Sequence, residues 1–183
     1  MIVDHTIIRG VVELIREPIS DRRGLFERVY CEDFLKEHLN GKIIKQINHS
    51  LTIEKGAIRG MHLQLGASAE FKIISCISGE VCDFALDLRK NSSTFLRWCN
   101  ITLSPTKHNS LLIPPGVAHG FQCLEENSEL LYFHTESYSP NDEFGVNFRD
   151  PKVCIKWPIP PGQISDRDLS FKSLSKDFSG FDL

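Results

Sequence analysis

The sequence has no long hydrophobic run, no large excess of charge of one sign and no Cys-x-x-Cys pair. No apolar stretch approaches the ~18 residues that suggest a membrane-spanning helix, and the N-terminus lacks the basic segment and apolar core of a secretory signal. A formal net charge of −3 gives no overall basic field of the kind that attracts nucleic acids. We therefore expect a cytoplasmic protein that binds neither membranes nor nucleic acids.

The cysteines are dispersed along the chain rather than paired. Several lie inside apolar, strand-like segments such as residues 74–77. Cysteines in that setting are typical of buried thiols in a reducing compartment, whereas metal sites and disulfide-rich folds have closer or regular spacings. We predict six free thiols, at Cys31, Cys76, Cys82, Cys99, Cys123 and Cys154.

Length and composition favour one globular domain. The chain has 183 residues, of which 41% are hydrophobic and 25% charged, and this balance is typical of a water-soluble domain with a well-buried core. The segment after about residue 157 is rich in Pro, Gly, Ser and Asp. We expect a single domain over residues 1–183, with this last segment forming mostly irregular structure packed on it.

Short alternating segments dominate the chain from about residue 43 to residue 148. In residues 81–88 one face would carry Cys82, Phe84, Leu86 and Leu88, and the other would carry the residues between them. Turn-forming sequences separate segments at roughly 10-residue intervals, which favours an all-β sandwich or jelly-roll barrel. Early acids and a leucine pair predict one short helix over residues 32–39. Further strands are predicted at 7–8, 11–15, 43–46, 71–77, 95–103, 111–113 and 129–136.

A histidine on one of these strands is the first candidate for chemistry. Alternation in residues 59–64 directs Gly60, His62 and Gln64 to one face of the sheet and the intervening apolar residues to the other. A lone histidine is often structural, but Arg59 and Lys72 are close to it in sequence. The segment therefore predicts a titratable ring in a polar cavity.

Lys72 and Tyr132 are the other candidates on strands. Lys72 shares its face with Ile74 and Cys76, which favours an inward orientation in which the ammonium could stabilise a developing enolate oxygen. Alternation groups Tyr132 with Leu130 and His134. The tyrosine could be a core aromatic, or its phenol could donate a proton into a cavity.

Residues 114–121 read PPGVAHGF and match the second cupin motif, P-x-G-x-x-H, in which the histidine follows a tight turn. The first cupin motif requires His-x-His, but this chain reads His62-Leu63-Gln64. An amide oxygen binds first-row metals much more weakly than imidazole does, so the glutamine argues against a metal site. A set made of His62, His119 and Glu70 remains an alternative.

Taken together, these motifs resemble the dTDP-4-dehydrorhamnose 3,5-epimerase family, a branch of the cupins. The resemblance extends over about residues 20 to 170 in the family's order, and it is specific because it combines many short motifs. They lie at residues 23–26, 46–50, 59–64 with Lys72, 79–83 with 87–89, 93–95 with Trp98, 113–121, Tyr132 with Tyr138 and Pro140, 150–151 with 157–158, and 165–168.

The resemblance implies a cupin-type jelly roll with short peripheral helices, and an enzyme without metal or cofactor that epimerises a dTDP-4-keto-6-deoxyhexose. By similarity, His62 is the general base, Asp168 orients it, Lys72 stabilises the enolate and Tyr132 returns a proton on the opposite face. A homodimer is also expected. The implied substrate-binding residues are Arg23, Phe26, Gln46, Asn48, Arg59, His119 and Tyr138, with the two arginines holding the diphosphate.

Three other functions remain open from the residues. A 3,4-ketoisomerase of the same sugars would also use a histidine base but would move the ketone. A non-catalytic cupin could have kept the pocket to bind a sugar nucleotide. A cupin oxygenase would require a transition metal.

Overall fold

The computed structural model describes residues 1–182, and two facing antiparallel sheets form its centre. One sheet has six strands in the order β1-β2-β10-β7-β12-β5, and the other has five in the order β13-β6-β11-β8-β9. Strands β3 and β4 form a separate hairpin. The strands are β1 (Ile2–His5), β2 (Val12–Ile15), β3 (Ile19–Asp21), β4 (Gly24–Phe26), β5 (Gln46–Thr52), β6 (Ile58–Gln64), β7 (Lys72–Ser78), β8 (Val81–Asp87), β9 (Trp98–Leu103), β10 (Asn109–Ile113), β11 (Val117–Cys123), β12 (Ser128–His134) and β13 (Glu143–Gly145).

In the described part of the chain, two short α-helices accompany the sheets, α1 (Glu32–Leu35) and α2 (Asp166–Ser170). The predicted all-β class with short peripheral helices is therefore confirmed. No helix among the described residues is long and apolar enough to cross a membrane.

Three apolar clusters follow from strand alternation, because residues two apart face the same side. Between the sheets lie Ile74, Ala85 and Leu130. The outer face of the five-stranded sheet carries Phe84 and Leu86, and segments after residue 145 cover it. The predicted alternation of residues 81–88 is confirmed, and strand β8 is buried on both faces. The outer face of the six-stranded sheet is covered around α1 by residues that include Leu35 and Leu39.

The structure corrects several predicted boundaries. The strand predicted at residues 7–8 is wrong, because the Thr6 hydroxyl bonds the backbone of Ile8 and a Val11 N–H to Ile8 carbonyl bond closes a turn there. The predicted helix is confirmed but ends at Leu35 and continues as turns to Gly41. The strand predicted at 43–46 begins only at Gln46. Strand β1 and the β3–β4 hairpin were not predicted, since short exposed strands lack a clear apolar alternation.

All six cysteines are free thiols in the structure. Cys76, Cys82 and Cys123 are buried within the sheets, while Cys154 is exposed. Burial raises the pKa of Cys76 to about 12 and that of Cys82 to about 11, so both are neutral thiols at physiological pH.

Candidate active site

An open cavity of about 520 Å³ lies between the two sheets. Strands β5, β7 and β12 of the six-stranded sheet form one wall. Strands β6 and β11 of the five-stranded sheet form the opposite wall, and residues of α2 close one side. Nine of the eleven predicted site residues line this cavity: His62, Tyr132, Lys72, Asp168, Gln46, Asn48, Arg59, His119 and Tyr138.

His62 and Asp168 form a hydrogen-bonded pair on the β6 wall. The ring Nε2 lies 2.8 Å from Asp168 Oδ1, and the carboxylate is almost fully buried. Asp168 is the third residue of α2, whose N-terminus is capped because Ser165 Oγ accepts the backbone N–H of Asp168. Since an ionised carboxylate only accepts hydrogen bonds, Nε2 carries the proton and Nδ1 is the basic nitrogen of the neutral ring.

The carboxyl group of Asp168 is ionised because its pKa is lowered. Burial acts to raise the pKa, but the hydrogen bond and charge of His62, the Gly60 N–H and Arg167 outweigh it and lower the pKa to about 2. Asp168 is therefore a carboxylate throughout the physiological pH range. It can hold the neutral imidazole in one tautomer and stabilise the imidazolium that forms when the ring takes a proton.

Gly60 connects the histidine strand to the aspartate. Its N–H donates to Asp168 Oδ2 at 3.0 Å, so each carboxylate oxygen has a partner on β6. The residue has φ +119°, and a Cβ there would lie 2.4 Å from the Cα of Gly120 on β11. A side chain is therefore excluded both by the backbone conformation and by the close approach of the two strands.

Arg167 is a cation beside His62 that the sequence analysis did not assign to the site. Its Nη2 lies 3.3 Å from His62 Nε2, its Nε lies 3.3 Å from Asp168 Oδ1, and Nη1 contacts both carboxylate oxygens of Glu143. Glu143 belongs to β13, which pairs with the histidine strand. The signal was the Ser165–Asp168 motif, of which only the aspartate was interpreted.

Phe171 fixes the other side of the histidine ring. The two rings meet edge to face with centroids 5.5 Å apart. Gly145, which lies directly opposite His62 in the β13–β6 pairing, leaves the room that the phenylalanine occupies, because a Cβ on it would be 2.3 Å from the Phe171 ring. The imidazole is therefore held by an aromatic edge as well as by a hydrogen bond.

Tyr132 lies on β12, in the sheet opposite His62. Its hydroxyl is 3.2 Å from Ser50 Oγ on the neighbouring strand β5. Burial raises the pKa of the phenol above its usual range, and the Ser50 hydrogen bond opposes this only in part. The phenol is therefore protonated at neutral pH and can act as a proton donor.

Lys72 begins β7 and lines the same wall as Tyr132. Its orientation toward the cavity was predicted from the face that it shares with Ile74 and Cys76, and both of these residues are in the core between the sheets. Its Nζ lies 3.3 Å from Glu70 Oε1. The other oxygen of Glu70 lies 2.9 Å from Nδ1 of His134.

His119 and Asp83 form a second histidine–carboxylate pair. His119 lies directly opposite His62 in the β11–β6 pairing, and its Nε2 is 2.9 Å from Asp83 Oδ2. Asp83 is fully buried, which raises the pKa of its carboxyl, while the charge and hydrogen bond of His119 act in the opposite direction. The His119 ring also packs edge to face on Tyr132, with centroids 6.1 Å apart. The sequence reasoning missed this partner because Asp83 is on a different strand.

The alternative metal set is not assembled. His62 bonds to Asp168, His119 bonds to Asp83, and both oxygens of Glu70 have basic partners. Within residues 1–182, no three His, Cys, Asp or Glu side chains come together as a metal-binding group. Gln64, which takes the place of a cupin ligand, instead accepts the Ser139 N–H at 2.6 Å and so anchors the loop that follows β12.

Two predicted site residues, Arg23 and Phe26, do not line the cavity of this chain. They belong to the exposed β3–β4 hairpin, where Arg23 pairs with Asp21 and Phe26 is 75% exposed. The other predicted arginine, Arg59, does line the cavity and hydrogen-bonds to Thr52 Oγ1 at 3.1 Å.

Comparisons with known proteins identify the family. A family model described as dTDP-4-dehydrorhamnose 3,5-epimerase matches residues 5–176. The enzyme of that name from Salmonella typhimurium is 40% identical over 160 residues, which cover 87% of each chain.

Solved structures agree in fold. The dTDP-6-deoxy-D-glucose-3,5-epimerase RmlC from Legionella pneumophila, in complex with dTDP-4-keto-L-rhamnose, matches with a TM-score of 0.88 at 32% identity, covering 93% of this chain and 91% of that one. A double mutant of ChmJ, a 3′-monoepimerase from Streptomyces bikiniensis, in complex with dTDP, matches with a TM-score of 0.86 at 25% identity over 92% and 85% of the chains. The predicted cupin-type jelly roll is confirmed, and the chain belongs to the dTDP-4-dehydrorhamnose 3,5-epimerase family.

Proposed function

We propose that this epimerase inverts C3 and C5, or C3 alone, of a dTDP-4-keto-6-deoxyhexose in deoxysugar biosynthesis. The observation that carries the proposal is the two-sided cavity, with His62, paired with Asp168 of α2, on one sheet and a protonated tyrosine on the opposite sheet. Inversion at a carbon requires that a proton leave from one face and return to the other, and opposite walls provide this arrangement.

In the proposed reaction, Nδ1 of His62 removes the proton from a carbon next to the C4 ketone. The electron pair of the broken C–H bond forms the enolate, whose negative oxygen is stabilised by the ammonium of Lys72. The phenol of Tyr132 then donates its proton to the opposite face of the same carbon. Solvent finally takes the proton from the imidazolium and returns one to the tyrosinate, so no redox change occurs and no cofactor is part of the proposal.

The remaining polar lining is proposed to bind the substrate. Arg59 would hold the diphosphate, since a guanidinium makes paired hydrogen bonds to phosphate oxygens. Gln46, Asn48, His119 and Tyr138 would contact the sugar or nucleotide from both walls. The complex of the Legionella relative with dTDP-4-keto-L-rhamnose supports this class of substrate.

The 3′-monoepimerase ChmJ offers further support for the two catalytic groups. In its double mutant a histidine and a tyrosine seventy positions apart are replaced, and the same spacing separates His62 from Tyr132. Because ChmJ is named a 3′-monoepimerase while other relatives are 3,5-epimerases, family membership leaves the choice between one and two inversions to experiment. Neither set of relatives favours a 3,4-ketoisomerase.

Incubation with dTDP-4-keto-6-deoxyglucose in D₂O tests the proposed function. We expect NMR to detect deuterium at C3 and C5 for two inversions and at C3 alone for one, because each proton removed by the base is replaced from solvent. Migration of the ketone would identify a ketoisomerase. Binding without exchange, with this substrate and with its CDP and GDP analogues, would contradict the proposal and leave a non-catalytic binding protein.

We further propose a homodimer in which the β3–β4 hairpin of one protomer reaches the cavity of its partner. This accounts for an exposed hairpin that carries Arg23 and the largely exposed Phe26, both expected at the substrate. The partner's Arg23 would then bind the diphosphate together with Arg59. Sedimentation should give twice the monomer mass.

Mixing two inactive variants distinguishes a shared site from a self-contained one. We expect the Arg23→Ala protein and the His62→Ala protein each to be inactive on its own at low substrate concentration. When the two proteins are mixed and exchange subunits, activity should rise to roughly a quarter of the wild-type value. Half of the dimers are then mixed, and one of the two sites in each has both native residues. Mixing without any gain would show that the hairpin does not serve the partner's site.

A further inference from the structure

Glu70 is a buried carboxylate held between two basic side chains of the cavity wall. Only 5% of the residue is exposed, and each oxygen has one partner, Lys72 Nζ at 3.3 Å and His134 Nδ1 at 2.9 Å. A carboxylate this far from water is stable only when its oxygens are paired. In the proposed reaction Lys72 has a role, whereas Glu70 and His134 have none.

The backbone holds this group in place. Lys72 and His134 lie directly opposite each other in the β7–β12 pairing. Between Glu70 and Lys72, the Phe71 N–H donates to Thr135 Oγ1 at 2.9 Å, and the Thr135 N–H donates to the Phe71 carbonyl at 3.1 Å. The side chains of Glu70, Lys72 and His134 therefore project from two segments, residues 70–72 and 134–135, that are hydrogen-bonded to each other.

A directed chain of hydrogen bonds ends at Glu70. The Tyr138 N–H donates to Gln46 Oε1, the Gln46 amide donates to Asn48 Oδ1, and the Asn48 amide faces His134 Nε2 at 3.4 Å. Nε2 can accept there only if Nδ1 carries the proton, and Nδ1 is the atom that faces Glu70. The carboxylate thus fixes the His134 tautomer and links the substrate-binding wall to Lys72.

We propose that Glu70 is a positioning residue for epimerisation, which together with His134 holds the Lys72 ammonium where the enolate oxygen forms. This rests on the proposed function of Lys72. A lysine side chain is long and flexible, so without the Glu70 carboxylate the Lys72 ammonium would move among several positions. Because the enolate charge exists only after proton removal, the loss falls on kcat rather than on KM.

The variants Glu70→Ala and Glu70→Gln test the proposal. We expect Glu70→Ala to lower kcat about 10- to 100-fold, with KM and dTDP affinity changed by less than about 3-fold. Glutamine keeps an oxygen for Lys72, so Glu70→Gln should recover most of the loss. Its NH₂ group then faces His134 Nδ1, and ¹⁵N NMR should detect the opposite histidine tautomer.

Glu136→Gln is the matched control, since this carboxylate also pairs with lysines, Lys42 and Lys45, but does not line the cavity. It should leave kcat unchanged. Wild-type kcat in Glu70→Ala would overturn the proposal, and if that variant does not fold, an unchanged His134 tautomer in Glu70→Gln would do so. If the wild-type protein exchanges substrate protons with D₂O and the Glu70 variants keep the wild-type kcat, this inference is rejected and the proposed function stands. If the wild-type protein shows no exchange, the proposed function is rejected, and the His134 tautomer in Glu70→Gln remains the test of the hydrogen-bond network.

Discussion

Replacing His62 by alanine is expected to lower deuterium incorporation at C3 and C5 by about 10³-fold or more, because a general base contributes typically ~10²–10⁴-fold. The His62 ring has an ionised and almost fully buried carboxylate partner, a tautomer that leaves Nδ1 free to take a proton, and contact with the cavity. NMR in D₂O measures both carbons in one experiment. Exposed His5 on β1 supplies the control, and His5→Ala should exchange at the wild-type rate.

Asp168→Asn separates the orienting carboxylate from the base itself. The Gly60 N–H requires an acceptor, so the amide oxygen of asparagine would face it and the NH₂ group would face His62 Nε2. The ring must then carry its proton on Nδ1 and cannot act as the base. We expect a loss close to that of His62→Ala with unchanged dTDP affinity. Exchange that persists at one carbon in either variant would instead indicate a second base, and His119 with Asp83 would be the first candidate.

Replacing Tyr132 by phenylalanine is expected to uncouple exchange from inversion. The base on the opposite sheet still removes the proton, and it can return deuterium to the same face, so labelled substrate of unchanged configuration should accumulate. Inversion should fall about 10²-fold or more, since the phenol is the proposed donor on the far face. The ratio of exchange to inversion, read by NMR, is the diagnostic quantity.

Tyr30→Phe is the control for this variant, because Tyr30 stacks on Phe133 on the outer side of the six-stranded sheet and does not line the cavity. It should retain both exchange and inversion. If exchange and inversion fell in equal proportion in Tyr132→Phe, the tyrosine would not be the proton donor, and a role in binding or in the first proton transfer would replace it.

Alternation along single strands predicted much of the cavity. Because neighbouring strand residues face opposite sides, the pattern around Lys72 and Tyr132 was sufficient to direct both away from the outer faces. The same reasoning assigned both faces of β8 correctly. It failed at residues 7–8, where two isoleucines predict a strand. There the Thr6 hydroxyl accepts the Ile8 N–H, and a hydrogen bond from the Val11 N–H to the Ile8 carbonyl closes a turn. Local apolar pattern does not record such side-chain to backbone bonds.

Partners across strands were beyond this reasoning. Asp168 reaches His62 from more than a hundred positions away, and only the family resemblance paired them. In the sequence, Asp83 is one position of an apolar strand with no visible partner. Its partner is His119, which lies on the neighbouring strand β11. Arg167 likewise becomes a neighbour of the base only because α2 packs against β6.

The order and spacing of residues along the chain were enough to predict the all-β class, the inward faces of the strands that carry His62 and Lys72 and, through the combined motifs, the family. Three features could be read only from the folded chain: His62 and Tyr132 lie on opposite sheets, Glu70 contacts both Lys72 and His134, and Arg23 and Phe26 lie outside the cavity of their own chain. Hydrogen bonds and ion pairs form between atoms that are about 3 Å apart in space. Strand register, rather than distance along the chain, brings those atoms together.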